Sequence, residues 1–90
     1  MDVSKREKVL FDARNIVCDD RNKQYGEPED NFANIAKLWG AYLDAPIDAM
    51  DVAVMMTLFK IGRIMSNPRK EDTWVDAAGY IACGAEIALD

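Results

Sequence analysis

Apolar positions along the chain recur at three- and four-residue intervals, and four stretches keep that spacing long enough to predict helices. The first covers about residues 3–24, with Val9, Ala13, Ile16 and Val17 in step. Gly26 suits the position just past its end, and Pro28 suits the first turn of a second helix over about 28–43. Glu27, Glu29 and Asp30 cluster there, where the helix dipole favours negative charge. Phe32, Ile35, Ala36, Trp39 and Leu43 form the apolar face of that helix. Ala45 stands before Pro46 and is biased away from helix, which ends the segment.

The third helix, about 47–66, contains MDVAVMMTLFKIGRIM and is apolar almost all round. That pattern predicts burial on most sides, either at the centre of a bundle or in a subunit interface. Pro68 in SNPRKED stops it. The fourth helix, about 71–89, opens with Glu71 and Asp72 and shows a predicted core face of Trp74, Ala78, Ile81, Ala85 and Ala88. The short connections imply antiparallel neighbours. The predicted fold is therefore all-α, a single domain over residues 1–90 built as a compact antiparallel bundle of four helices.

Composition sharpens this in three ways. The 50% apolar fraction predicts a packed core, and in 90 residues it leaves a surplus that a homo-oligomer would bury. No run of about 18 apolar residues is present to span a membrane. The N-terminal MDVSKREKVL has no signal-like apolar run, so the expected location is the cytoplasm. The net charge of −5 argues against general nucleic-acid binding. Cys18 and Cys83 lack metal-ligand spacing and read as buried, reduced thiols. The chain has no histidine, so its chemistry falls to carboxylates, lysine, arginine, tyrosine or a hard metal ion.

The candidate chemistry lies where the third and fourth helices meet. At 100° per residue, Asp72, Asp76, Gly79, Cys83 and Glu86 share a strip about 80° wide. Asp48, Asp51, Val52, Met55, Phe59, Gly62 and Arg63 share one about 120° wide, with Lys60 at its edge. Antiparallel packing predicts Arg63 and Lys60 near Asp72 and Asp76, and Asp48 and Asp51 at the opposite end near Glu86. One reading is architectural: the basic and acidic residues pair to close the helix connection, and Asp48 caps the third helix. The other is functional. Asp51, Asp72 and Asp76, with Asp48 as a weaker fourth, are ligands for Mg²⁺ or Mn²⁺, and Lys60 and Arg63 hold phosphates. Arg21, Lys23, Tyr25 and Asn31 offer donors and a ring for a phosphorylated base, although Tyr25 equally reads as a ring packed into the bundle.

The segments DRNKQYGEPEDNFANIAKLWGAYL, DVAVMMTLFKIGRIM and EDTWVDAAGYIACGAE together resemble a small phage and prophage family of unknown function. Their order is similar to that of the nucleotide-modification-associated helical domains. The matching positions are Tyr25-Gly26, Trp39, Lys60 with Arg63, and Asp72 with Asp76 and Tyr80. A looser resemblance is to the MazG-like all-α nucleoside triphosphate pyrophosphohydrolases, which bind Mg²⁺ through Glu-x-x-Glu and Glu-x-x-Asp pairs on successive helices. The nearest positions are Asp48 with Asp51 and Asp72 with Asp76. The first pair is shortened to aspartate, the second has a four-residue step, and Asp48 lies at a helix start. These resemblances imply a nucleotide or related phosphorylated small molecule bound between helices by Arg21, Tyr25, Asn31, Lys60, Arg63 and Tyr80. A Mg²⁺-dependent pyrophosphohydrolase and a non-catalytic helical interaction module are the competing readings.

Overall fold

The computed structural model describes residues 3–20 and 26–89, apart from the side chain of Asp20. Among the described residues it contains four α-helices and no strand. Helix α1 (Lys5–Asn15) starts at Ser4, whose hydroxyl accepts the Glu7 N–H at 3.1 Å. It widens at its end into a π-helical turn, Ile16–Asp20, so its α-helical part is shorter than the periodicity implies.

Helix α2 (Pro28–Leu43) follows Gly26, which takes a positive φ of 79°, and carries Pro28 in its first turn. It ends at Asp44 in the left-handed region, φ 52°. There the chain folds back so tightly that a Cβ on Gly40 would stand 2.9 Å from the Ala45 carbonyl oxygen. Only glycine fits beneath that turn.

Helix α3 (Ala49–Ser66) begins with a reciprocal cap. Asp48 accepts the Asp51 N–H at 2.8 Å, and Asp51 accepts the Asp48 N–H at 3.1 Å. Helix α4 (Glu71–Ala88) follows after a short connection, which is fixed by the Trp74 indole donating to the Pro68 carbonyl at 2.8 Å.

Helices α3 and α4 run antiparallel and form the most extensive contact of the molecule. Glycine permits their approach: a Cβ on Gly84 would lie 3.1 Å from the Ala53 Cβ. Helix α1 lies along the other side of α4 in the same direction, since Lys8 meets Glu71 and Val17 meets Gly79. Helix α2 packs on α3 and touches α4 through Phe32 and Tyr80, whose rings are 6.1 Å apart. Phe32, Ala36, Val52, Ala53 and Cys83 make the core. The result is elongated, 50 × 29 × 23 Å.

The core is not where the periodicity puts it on α4. The buried residues there are Thr73, Val75, Gly79 and Cys83. Trp74 is 45% and Ile81 59% exposed, and Ala85 and Ala88 are exposed too. Helix α4 is held between α1 and α3, so its small residues take the inside, where backbones must come close. Helix α3, although packed by both α2 and α4, leaves Val54, Leu58, Ile61 and Met65 exposed, so it is not buried on most sides. Of the two thiols expected to be buried, Cys83 is, whereas Cys18 is exposed on the π-helical turn. Leu43 is also exposed, and Ile16 is partly so beside a cavity between α1 and α4.

Candidate functional site

The acidic and basic residues of α3 and α4 converge only in part. The Lys60 ammonium lies 3.0 Å from the Asp76 carboxylate, with the two side chains 21% and 39% exposed. Antiparallel packing brings them together, since Lys60 is in the second half of α3 and Asp76 in the second turn of α4. Arg63 does not join them. It is exposed and sets its guanidinium 4.9 Å from the centre of the Phe59 ring, a cation–π contact. Asp72 is exposed, with no hydrogen bond or ion pair among the described residues.

Asp76 and Tyr80 line a cavity of about 80 Å³ between α4 and α1, together with Val17, Val75 and Gly79. That space suits water, while ligand sites are several times larger. Asn31 stands half-buried in the first turn of α2, with no hydrogen bond to Lys60, Asp76 or Tyr80. Arg21 and Tyr25, with Lys23, lie outside the described residues.

The expected metal ligands are spread apart. Asp51 is nine residues from Lys60, about 13 Å along α3 at 1.5 Å per residue, and hence far from Asp76. Its carboxylate, like that of Asp48, is engaged in the cap of α3. Among the described residues no three His, Cys, Asp or Glu side chains gather as a metal site. Asp51 thus stands away from Asp72 and Asp76, which are one turn apart on α4, and no step through a metal follows from this placement.

A larger concavity lies elsewhere. Because α1 runs alongside α4, its first turns reach the α3–α4 connection, and between them opens a groove of about 610 Å³. Lys5 and Arg6 approach from α1 and Arg69 from the connection, while Leu10, Pro68 and the Trp74 ring form an apolar floor. None of these three cations has an ion-pair partner among the described residues. Lys8, one turn along α1, is instead tied to Asp12 at 2.7 Å and to Glu71 at 2.8 Å. Hydrogen bonds to Asp12 and then Glu71 raise its pKa above the ordinary lysine value, so its charge is committed to holding α1 on α4.

Sequence reasoning passed over this groove, although a signal for it was present. Lys5, Arg6, Lys8, Arg69 and Lys70 are five of the eleven lysines and arginines, in two short runs. Lys5 and Arg6 occupy the first turn of α1, and Lys70 stands at the N-cap of α4. Positive charge at a helix start opposes the dipole. Such local conflict marks positions whose reason lies outside helix formation.

The chain belongs to the family described as Domain of unknown function (DUF6378), which matches residues 8–88. It is similar to the Gene 55 protein of Mycobacterium phage D29, with 40% identity over 81 residues. It is also similar to the Gene 55 protein of Mycobacterium phage L5, with 45% identity over 73 residues. These alignments cover 90% and 80% of this chain but 54% and 47% of the relatives, so the chain spans about half their length. No solved structure matches it significantly. The family and both relatives thus bear out the expected likeness to an uncharacterised phage family, and no helix is long and apolar enough to cross a membrane among the described residues.

Proposed function

We propose that this domain binds a nucleotide-like, phosphorylated small molecule in the groove between the start of α1 and the α3–α4 connection. The observation that carries the reading is the set of three cations, Lys5, Arg6 and Arg69, that have no ion-pair partner among the described residues and surround an apolar floor that includes the Trp74 ring; Glu71, which also lines the groove, is tied to Lys8. Phosphate oxygens take charge-assisted hydrogen bonds from such donors, and arginine offers them in a planar fork. The indole face gives a base a surface to stack on. The volume, about 610 Å³, is in the range of small-molecule sites. The chain as a whole carries −5, so these cations form a local positive field on an acidic molecule. That favours a small anion over a long phosphate backbone. Lys60, Asp76, Tyr80 and Arg63 stand apart from the groove and support α3 and α4.

The test is retention of nucleotide by the protein. The chain is incubated with a panel of nucleoside triphosphates, deoxynucleoside triphosphates and cyclic nucleotides, with and without Mg²⁺, and then filtered. Both the filtrate and the ligand released from denatured protein are resolved by chromatography. Intact nucleotide recovered with the protein, and weakened about tenfold or more by Arg6→Glu or Arg69→Glu, is the expected result. Absence of retention, or retention indifferent to both substitutions, would remove the groove from consideration. Metal-dependent products in the filtrate would replace binding with hydrolysis and return Asp51, Asp72 and Asp76 to the foreground.

A further inference from the structure

We propose that the outward faces of α3 and α4 form a two-fold interface with a second copy of this chain. On α3, Met50, Val54, Leu58, Ile61 and Met65 follow one another at steps of four, four, three and four residues. On α4, Ala78, Ile81, Ala85 and Ala88 follow at three, four and three. Steps of this kind generate the straight apolar seam by which one helix packs along another at a shallow angle. Both helices use a different set of residues for the contacts inside the chain, so these rows are left over once the bundle is complete.

The two rows belong to one surface. A groove of about 340 Å³ runs between them, with Met50 and Val54 on one wall and Ile81, Ala85 and Ala88 on the other. Met50, Val54, Leu58, Ile61, Met65 and Ile81 are between 42% and 80% exposed. Their side chains alone present on the order of 600 Å², the upper limit for the largest apolar patch on an ordinary monomer. The intervening alanines bring the face close to the ~800 Å² that each side of a standard interface contributes.

The dimensions of the whole chain agree. Its radius of gyration is 14.0 Å, against about 12 Å for a compact chain of this length. Its accessible surface is 6656 Å² for 10.1 kDa, where a folded monomer of that mass exposes about 5300 Å². The excess exceeds what one standard interface removes from each partner.

The occupant is a second copy because the face complements itself. The α3 row consists of large side chains and the α4 row mostly of alanine. A two-fold operation that lays α3 of one copy over α4 of the other sets large residues into the space beside small ones, twice over. No charged residue stands in either row, so two chains of −5 meet where neither presents its charge.

Sedimentation velocity of the full chain, at micromolar concentration and above, decides the matter. The expected species has twice the 10.1 kDa mass. Leu58→Glu and Ile81→Glu weaken the dimer by about 100-fold or more, because each buries a charge in an apolar contact. Both sites are exposed in the single chain, so helicity by circular dichroism stays unchanged. Phe11→Glu, at an exposed apolar site on α1, leaves the dimer intact. Raising salt leaves wild-type association equal or tighter, since it screens repulsion between like-charged copies. A wild-type chain that stays monomeric, a dimer that survives both α3 and α4 substitutions, one broken by Phe11→Glu, or one dissolved by salt would each overturn the proposal.

Discussion

Helix α4 carries two apolar faces of similar composition, and they meet opposite fates. One, with Val75, Gly79 and Cys83, is buried between α1 and α3. The other, with Ala78, Ile81, Ala85 and Ala88, looks outward. Hydrophobicity does not separate them, and by side-chain size the outer row, which includes Ile81, looks the better core. What separates them is how near a neighbour must come. A Cβ on Gly79 would lie 3.0 Å from Val17 Cγ1, and one on Gly84 3.1 Å from the Ala53 Cβ, so the inner surface works only where side chains are absent or small. Close backbone approach, rather than apolar bulk, chose the inside.

That contrast can be broken by substitutions whose costs differ in order. Phe32→Ala should have the largest effect. Phe32 is 1% exposed and touches Tyr80 on α4, so its loss costs about 3–5 kcal/mol and lowers Tm by well over ten degrees in thermal unfolding. Next comes adding bulk inside. Gly84→Val forces α3 and α4 apart at Ala53 and costs about 1–3 kcal/mol by denaturant titration. The same kind of change outside, Ala85→Val, should stay within about 0.5 kcal/mol when measured in a Leu58→Glu background, where association does not enter. Equal costs for the two valines would dissolve the distinction between the faces.

Two charge substitutions sharpen the comparison further. Lys60→Met leaves Asp76 without its partner, but with the carboxylate 39% exposed, water takes part of the load. The expected loss is about 1 kcal/mol and shrinks as salt is raised. Smallest is Lys8→Met. The folded pKa of Lys8 lies above the ordinary 10.5 because of Asp12 and Glu71. The contribution is therefore complete below that value and is lost only as pH rises through the folded pKa. The Tm difference between wild type and Lys8→Met should thus be small and constant through neutral and mildly alkaline pH. A difference that changed within that range would overturn this account of the tie.

Much of the fold was legible in the sequence because local signals agreed with one another. Gly26 and Pro28 marked the entry to α2, Asp48 the cap of α3, and Pro68 the break before α4; each is a local effect that acts within a few residues. The pairing of Lys60 with Asp76 was also readable, since antiparallel helices of known length fix which turns meet. What could not be read was the direction of α1 along α4. That depends on Val17 settling over Gly79, a contact between residues far apart in sequence. The basic groove followed from that docking, so it was missed. Arg63 was misread for a different reason: its long side chain reaches back to Phe59, one turn away, as easily as across to α4.

The attachment of α1 has a consequence for the order in which the molecule opens. Helices α2, α3 and α4 are consecutive and contact one another through short connections, a topology that forms quickly. Among the described elements, α1 packs only on α4 and the π-helical turn, and its tie from Lys8 to Glu71 spans 63 residues. It is the segment with least to hold it, so its amides should be the first to exchange with solvent, ahead of global unfolding. The groove with Lys5 and Arg6 exists only while α1 is down. An anion lodged there would act as a latch, and the protection it confers on Lys5–Asn15 would report its occupancy from the backbone itself.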